Sequence, residues 1–165
     1  MAEETVADAE SRVTRNAIDL LTADHRKAET LFNEYDGLKE GSPEEKYEVA
    51  KKVCGDLLIH MALEEAIFYP AVREKVSDEE LVNEAEVEHN GAKDLIRQLG
   101  EIKPDDPMFD ATMKVLSEQI DHHVQEEESS MFPKARLSGL DINALGAQLQ
   151  EAKNEMRTRL GLEPE

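Results

Sequence analysis

Hydrophobic residues recur every three or four positions along most of the chain, which is the spacing of one buried face of an α-helix. Turn and cap signals divide this pattern: glycines close the first and third stretches, and Ser42-Pro43 and Asp106-Pro107 open the second and fourth. A fifth amphipathic stretch ends at Gly161. The chain is therefore predicted to be all-α, an antiparallel up-down-up-down four-helix bundle with an additional C-terminal helix. The predicted helices cover residues 14–36, 42–75, 77–99, 106–138 and 141–160.

Six polar side chains interrupt the otherwise apolar inward faces of the first four helices, and all six are histidine or glutamate. Two helices each carry a His-x-x-x-Glu pair, whose members lie one turn apart on the same face. The other two helices each carry a lone histidine. Because inward faces meet at the axis of a bundle, we expect these side chains to converge on one centre. The six candidate metal ligands are His25, His60, Glu64, His89, His123 and Glu127.

An internal repeat relates the two halves of the four-helix region. Segment 24–28, Asp-His-x-x-Ala, returns 64 positions later as Glu-His-x-x-Ala in segment 88–92. The His, Glu, Pro and Arg of segment 60–73 return 63 positions later in segment 123–136. The repeat predicts two helical hairpins related by a pseudo-twofold axis, each with one lone histidine and one His-x-x-x-Glu pair.

The residue types of this cluster point to a metal centre. A buried carboxylate or charged imidazole without a partner costs several kcal/mol, and a pair of cations among the side chains removes that cost. Four imidazoles and two carboxylates suit two iron ions about 3.5–4 Å apart, bridged by the glutamates and an oxide or hydroxide. Each iron would have two terminal histidines and an open position, at which O2, peroxide or nitric oxide could bind.

Four motifs surround these residues, namely Asp24-His25, His60–Glu65 leading into Phe68-Tyr69-Pro70, Glu88-His89, and His122–Glu128 leading into Phe132-Pro133. In their order and spacing they resemble the hemerythrin family, and in particular its bacterial branch, the HHE cation-binding domains. The resemblance covers about residues 16–138. It implies a non-haem di-iron centre in a four-helix bundle, with the six candidate residues as ligands. The activities it implies range over O2 binding, O2 or redox sensing, iron handling and peroxide removal.

One position departs from the oxygen-carrying members of that family, which have His-x-x-x-His on the third helix. Here the residue four positions after His89 is Lys93, which argues against reversible O2 transport. Glu29 takes the corresponding place in the first hairpin. We interpret Glu29 as a salt-bridge residue, with Lys93 as a candidate partner, in preference to a third carboxylate ligand.

Other polar residues near the cluster are given supporting roles. Asp24 and Glu88 are predicted to hold the second ring nitrogen of a histidine on a neighbouring helix, as metal-bound histidines usually require. His122 points about 100° away from the stripe that contains His123. His122 is therefore interpreted, with Glu126, as a flanking pair beside the centre.

Four further residues and one cysteine are interpreted structurally. Glu65 and Glu128, like Glu126, are predicted to belong to a solvated acidic face. Pro70 and Pro133 each lack a backbone donor and are expected to bend or end their helices. Cys54 lies off the inward stripe and is predicted to be an unreactive, half-buried thiol.

Composition excludes several classes of partner. The formal net charge of −19 repels phosphates and anionic lipids, so neither nucleic acid nor a membrane is expected as a partner. No apolar run reaches the roughly 18 residues that a spanning helix needs. Residues 1–15 are polar and contain no hydrophobic signal region. Together with the single cysteine, this predicts a cytoplasmic protein.

These observations predict three regions, a polar N-terminal extension (1–13), a hemerythrin-like bundle (14–138) and a C-terminal helix with its tail (139–165). The leading hypothesis is a non-haem di-iron protein that binds or reacts with O2 or O2-derived small molecules, in sensing, iron handling or stress protection. Two alternatives stay open. One is a peroxide-decomposing enzyme of peroxidase or catalase type, although no catalytic residue stands out; the other is a metal-dependent regulatory module that contacts a protein partner through the C-terminal helix. Manganese or zinc in place of iron also stays open.

Overall fold

Five helices make up the part of the chain that the computed structural model describes, residues 15–165, and no strand occurs in that range. The all-α prediction is confirmed, and the predicted extension at residues 1–13 lies outside the described residues. α1 is Ala17–Asp36, α3 is Glu79–Leu99 and α5 is Ile142–Arg159. α2 and α4 each have three parts, Pro43–Leu63, Glu64–Phe68 and Tyr69–Lys75 in α2, and Pro107–Glu126, Glu127–Met131 and Phe132–Leu137 in α4.

Each helix begins after a polar residue whose side chain accepts a hydrogen bond from a backbone N–H of the first turn. Ser42 and Asp106 cap α2 and α4, where the sequence predicts them. α1 and α3 begin slightly later than predicted because Asn16 and Asp78 supply their caps. Asp141 caps α5. Local sequence therefore decides where each helix starts, and with it the height of each histidine in the bundle.

α2 and α4 each contain a π-helical turn that begins at the glutamate of the His-x-x-x-Glu pair. The backbone N–H of Tyr69 donates to the carbonyl of Glu64, and Phe132 donates in the same way to Glu127. A proline follows each of these two donors. We expected the prolines to bend or end their helices, but neither helix ends there. The wider turn makes room for the proline ring and the α-helix resumes.

The π-helical turn also rotates the buried face of α2. Ile67 and Ala71, which the stripe predicts to face inward, are only partly buried. Phe68, Tyr69 and Val72 are fully buried instead. A π turn uses about one residue more than an α turn, so the inward stripe beyond the turn shifts by one position.

α1 pairs with α2 and α3 pairs with α4, which gives the two predicted hairpins. Their apolar side chains form two clusters at different heights along the bundle. On α1, Leu21 belongs to one cluster and Ala28 to the other, and His25 lies between them. On α3 the histidine likewise lies between Ala85 and Ala92. The histidines and glutamates thus form a polar layer between two apolar layers.

α5 packs across α1 and α2. Leu145 and Leu149 enter the core cluster that lies below the polar layer. A Cβ on Gly146 would overlap the backbone of Arg15 and Ala17, so the close approach of α5 to the start of α1 requires glycine at this position. No helix within residues 15–165 has both the length and the apolar character to cross a bilayer.

Candidate metal centre

The six predicted side chains come together in the middle of the bundle. All six are buried. The rings of His25 and His60 are 4.9 Å apart between centroids, and those of His89 and His123 are 4.7 Å apart. Each hairpin thus contributes one pair of histidines. The carboxylates of Glu64 and Glu127 lie beside these two pairs.

Each glutamate lies between two histidines of different hairpins. Oε1 of Glu64 is 3.0 Å from Nε2 of His60 and 3.3 Å from Nε2 of His89. Oε1 of Glu127 is 3.4 Å from Nε2 of His123 and 3.2 Å from the corresponding nitrogen on α1. Two groups of possible donor atoms, each within 4.8 Å of one another, share one glutamate: His25, His60, Glu64 and Glu127, and Glu64, His89 and His123.

The outer ring nitrogens of two histidines are held by carboxylates, as the sequence predicts. Oδ2 of Asp24 is 2.9 Å from Nδ1 of His60. Oε1 of Glu88 is 3.0 Å from Nδ1 of His123. The two contacts are related by the internal repeat, and each connects a residue of one helix with a histidine of its hairpin partner.

The outer nitrogens of the other two histidines are also held, which the sequence prediction missed. Oε2 of Glu128 is 2.9 Å from Nδ1 of His25, and Oε2 of Glu65 is 3.3 Å from Nδ1 of His89. The interpretation of these two glutamates as a solvated acidic face is therefore wrong. A signal was present, since Glu65 and Glu128 occupy the same position of the two repeats, 63 residues apart.

The four carboxylates direct the Nδ1 protons outward, which leaves the Nε2 lone pairs facing the centre. Although inward N–O separations of 3.0–3.3 Å occur, these pairs lack hydrogen-bond geometry. Within residues 15–165, five buried atoms have no hydrogen-bond partner, namely Nε2 of His25 and His60, both carboxylate oxygens of Glu64, and Oε1 of Glu127. Buried acceptors that face one another need a positive charge between them, which protons or metal cations can supply. Imidazole nitrogens and carboxylate oxygens are also the donors that iron, zinc and manganese accept, so the residues fit a metal centre.

Tyr69 adds a hydroxyl that sequence reasoning did not place in the site. Its hydroxyl donates to Oε2 of Glu127 at 2.7 Å and lies 3.1 Å from Nε2 of His89. The π-helical turn of α2 brings Tyr69 to this place, five residues after Glu64. In the second hairpin the matching residue is Phe132, which stacks on the ring of the α1 histidine at 5.8 Å. The hydroxyl therefore serves only one half of the pseudo-symmetric site.

Neighbouring carboxylates raise the pKa of two of the four imidazoles, those of His60 and His123. Burial lowers the pKa of His60, but the charges of Glu64 and Asp24 outweigh it and raise the pKa well above its ordinary value. Burial also lowers the pKa of His123, and Glu127 outweighs it, raising the pKa to about 10. Burial raises the pKa of Glu127, but His123 reverses this and holds it well below the ordinary value. Protons and metal cations therefore compete for the same lone pairs.

Two of the ion pairs differ from the sequence prediction. Glu29 is a salt-bridge residue, as expected, but its partner is Arg26 at 3.3 Å. Lys93 pairs instead with Glu65 at 2.7 Å. The predicted Glu29–Lys93 pair is therefore wrong, because the outer carboxylate of the α3 histidine attracts the lysine.

Two peripheral residues lie where the sequence predicts. The His122 side chain is 67% exposed and is 3.5 Å from both Glu126 and Glu88, so it flanks the centre. Cys54 is partly buried beside the core cluster that contains Ala28. Burial raises the pKa of its thiol to about 11. The thiol is therefore protonated at neutral pH.

Two cavities in the described part of the chain reach the histidines. One, of about 30 Å³, is lined by residues of all five helices, among them His25, His60 and Lys153. A wider groove of about 710 Å³ between α1 and α4 also reaches His25. A volume near 30 Å³ corresponds to about one water molecule, so the inner cavity suits molecules of two or three atoms.

Fold and site together define a helical-bundle protein whose buried histidine and glutamate cluster can hold metal cations. The model of the family "Hemerythrin HHE cation binding domain" matches residues 16–135. The chain belongs to this family. α5 lies beyond the matched residues.

Two known proteins are similar to the chain. A Hemerythrin HHE cation binding domain-containing protein from Mycobacterium kansasii has a crystal structure that matches with a TM-score of 0.74, covering 92% of this chain and 95% of that one. At 20% identity, this likeness supports the fold alone. A DNA nickase of Nostoc sp. is 28% identical over 158 residues, which are 94% of this chain and 44% of the relative. The chain thus spans less than half the length of that curated relative.

Proposed function

We propose that the protein is a non-haem di-iron protein that binds or reacts with O2 or O2-derived small molecules. His25 and His60 would hold one ion, and His89 and His123 the other. Glu64 and Glu127, which lie between the two histidine pairs, would bridge them. The observation that supports this proposal most directly is the set of buried, unpartnered acceptor atoms that face one another.

The donor set favours iron over its competitors. Four imidazoles and two carboxylates contain no thiolate, which makes a soft-metal site unfavourable. Zinc is typically held as a single ion by four protein ligands in a closed site, or by three protein ligands and a water in an open one, whereas here the donors divide into two groups that share a carboxylate. Bound iron would supply redox chemistry and an open coordination position for a small ligand.

The protein itself would supply selection by size and control of protons. The inner cavity admits only very small molecules, and the apolar layers above and below the cluster separate it from the two ends of the bundle. The hydroxyl of Tyr69 holds a proton at the centre, and burial beside Glu64 and Glu127 raises its pKa well above the ordinary value. This proton donor gives specific support to the second candidate function, decomposition of peroxide. The cytoplasmic location expected from the sequence is part of the proposal.

Metal analysis tests the proposal. Metal-free protein, reloaded anaerobically with Fe(II), should retain about two irons per chain and develop visible ferric absorption in air. The variant Glu64→Ala plus Glu127→Ala should lose both. Glu29→Ala plus Glu126→Ala removes two carboxylates outside the centre and is the matched control. A folded wild-type protein that retains less than about half an iron per chain would refute the proposal.

Small-molecule titration separates the two functions. The reduced, iron-loaded protein is mixed with O2, hydrogen peroxide or nitric oxide under otherwise anaerobic conditions. Stable or reversible spectral changes indicate binding, whereas continuous loss of peroxide indicates catalysis. Tyr69→Phe should slow peroxide loss and leave iron content unchanged if the enzyme alternative holds.

DNA cleavage, the activity named for the Nostoc relative, is not part of the proposal. A net charge of −19 opposes contact with phosphates. Supercoiled plasmid incubated with the metal-loaded protein should therefore remain supercoiled.

Binding of a protein partner through α5 also stays a prediction. Only the polar face of α5 is open to such a partner, since Leu145, Leu149 and Lys153 are buried.

A further inference from the structure

Lys153 is a buried cation on the helix that lies outside the family match. It retains 7% of its exposure and is the single buried lysine or arginine within residues 15–165. Its Nζ is 2.6 Å from Oδ1 of Asp24 and 2.5 Å from Oε2 of Glu165. A buried ammonium without partners would be strongly destabilising, so these two carboxylates explain how α5 accommodates it.

Lys153 is connected to the metal centre through Asp24. One oxygen of the Asp24 carboxylate accepts from Lys153, and the other faces Nδ1 of His60 at 2.9 Å. The three groups form a chain from α5 through α1 to α2. Because an aspartate carboxylate can rotate, two charged or polar partners fix its orientation better than one.

The equivalent residue of the second hairpin has no such support. Glu88 holds Nδ1 of His123 at 3.0 Å, as Asp24 holds His60. Its other oxygen is 3.5 Å from His122, whose side chain is 67% exposed. Of the five helices described, none covers Glu88 as α5 covers Asp24, so the two halves of the repeat differ in their outer carboxylates.

We propose that Lys153 is a positioning residue for His60, acting through Asp24, and that α5 is thereby part of one half of the metal centre. The proposal rests on the proposed function, since it needs His60 to be a metal ligand. Lys153 itself would contact no metal. Its charge is balanced by Asp24 and Glu165, so its effect on a nearby cation comes from orienting the ligand.

Removal of the ammonium should affect one of the two ions. In Lys153→Met the half-buried Asp24 loses its cation, and its carboxylate is free to turn from Nδ1 of His60. That movement weakens the orientation of Nε2. Loss of an outer partner of a metal-bound histidine typically costs 10–100-fold in metal affinity. Because Lys153 acts on His60 only through Asp24, we expect a loss at the lower end of this range, about 10-fold. His89 and His123 have separate outer partners and should be spared.

Two-site metal titration tests this inference. Metal-free protein is titrated with Co(II) in competition with a chromophoric chelator, and the dissociation constants of both ions are fitted for the wild type, Lys153→Met, Asp24→Asn and the double variant. Lys27→Met is the matched control, because Lys27 pairs with Glu165 at 2.6 Å but with Asp56 in place of Asp24. Far-ultraviolet circular dichroism and thermal unfolding verify the fold of each metal-free variant.

We expect Lys153→Met to raise the dissociation constant of one ion about 10-fold and to leave that of the other within about twofold. In the Asp24→Asn background, Lys153→Met should cause no further loss of affinity. Lys27→Met should leave both ions unchanged. Two unchanged constants, equal weakening of both ions, or a further loss in the double variant would each overturn the inference. If Lys153→Met does not fold, Lys153→Gln is judged by the same criteria. A wild type that binds no Co(II) or Fe(II) would instead overturn the proposed function, so the two failures are distinguishable.

Discussion

Metal binding should release protons from the centre, and the number follows from the structure. Glutamates hold the pKa of His60 well above its ordinary value and that of His123 at about 10. Both imidazoles are therefore protonated in the metal-free protein near neutral pH. A metal ion can use their Nε2 lone pairs only after the second proton of each ring has left. Filling the site should release at least about two protons per chain.

The competition with protons has a calculable strength. Displacing a proton from a group with a pKa of about 10 at pH 7 costs about 4 kcal/mol, from three pH units at about 1.4 kcal/mol each. Because His123 loses such a proton and the pKa of His60 is raised in the same direction, the overall affinity for a metal pair should rise by at least about 10-fold per pH unit between pH 6.5 and 8. The affinity stops rising at the pH at which the imidazoles of the metal-free protein lose these protons by themselves, because the metal then displaces none.

Calorimetric titration with Co(II) in buffers of different ionisation enthalpy measures the proton count directly. His122→Gln, which removes an exposed histidine outside the cluster, is the control and should release the same number. Glu127→Gln removes the main charge that raises the pKa of His123, so its proton release should fall by about one. Binding of both ions with release of fewer than about one proton per chain would refute the reasoning.

Stability of the metal-free protein should have the opposite pH dependence. The raised pKa of His123 contributes stability that is fully present below its unfolded value of 6.5 and is lost as pH rises toward about 10. The lowered pKa of Glu127 contributes stability that is present above 4.5 and is lost as pH falls further. Chemical unfolding at a series of pH values should therefore show a decline above pH 6.5 for the metal-free protein, and the metal-loaded protein should not share it. A metal-free protein that becomes more stable between pH 7 and about 9 would contradict these assignments.

Three further predictions concern single residues. Tyr69→Phe should destabilise the metal-free protein by about 1–3 kcal/mol in urea unfolding, because Glu127 loses its hydroxyl donor; an equal effect of Tyr47→Phe, at an exposed tyrosine, would contradict this. Gly146→Ala should cost about 2 kcal/mol or more, since the new Cβ would overlap the backbone at the start of α1, and an unchanged melting temperature would show that α5 docks elsewhere. Cys54 should react slowly with iodoacetamide at pH 7.5 and faster only as pH approaches about 11; rapid labelling of the folded protein at neutral pH would contradict its burial.

Local sequence determines the helices and the inward positions. Apolar spacing places His25, His60, His89 and His123 on buried faces, and each is buried in the structure. Cap residues such as Ser42 and Asp106 start their helices where expected, because a cap bonds to its own first turn. The sequence also predicts that Asp24 and Glu88 each hold a histidine of a neighbouring helix, and the structure shows that these are His60 and His123.

The remaining features of the site depend on contacts between elements that are distant in sequence. Helical periodicity assumes 3.6 residues per turn, so it places Ile67 inward, while the π-helical turn brings Tyr69 to the centre. Glu128 looks like a surface residue on its own helix and becomes a partner of His25 only when α1 lies beside α4. Lys153 carries no signal in the sequence.

The sequence by itself therefore determined the helices, the all-α architecture and the six inward side chains, because those follow from the period and caps of single helices. Only the tertiary structure decided which carboxylates hold the outer nitrogens of His25 and His89, that the hydroxyl of Tyr69 lies at the centre, and that Lys153 of α5 is buried against Asp24. The physical reason is that a side chain's direction within its own helix is local, whereas its partner depends on how neighbouring helices pack.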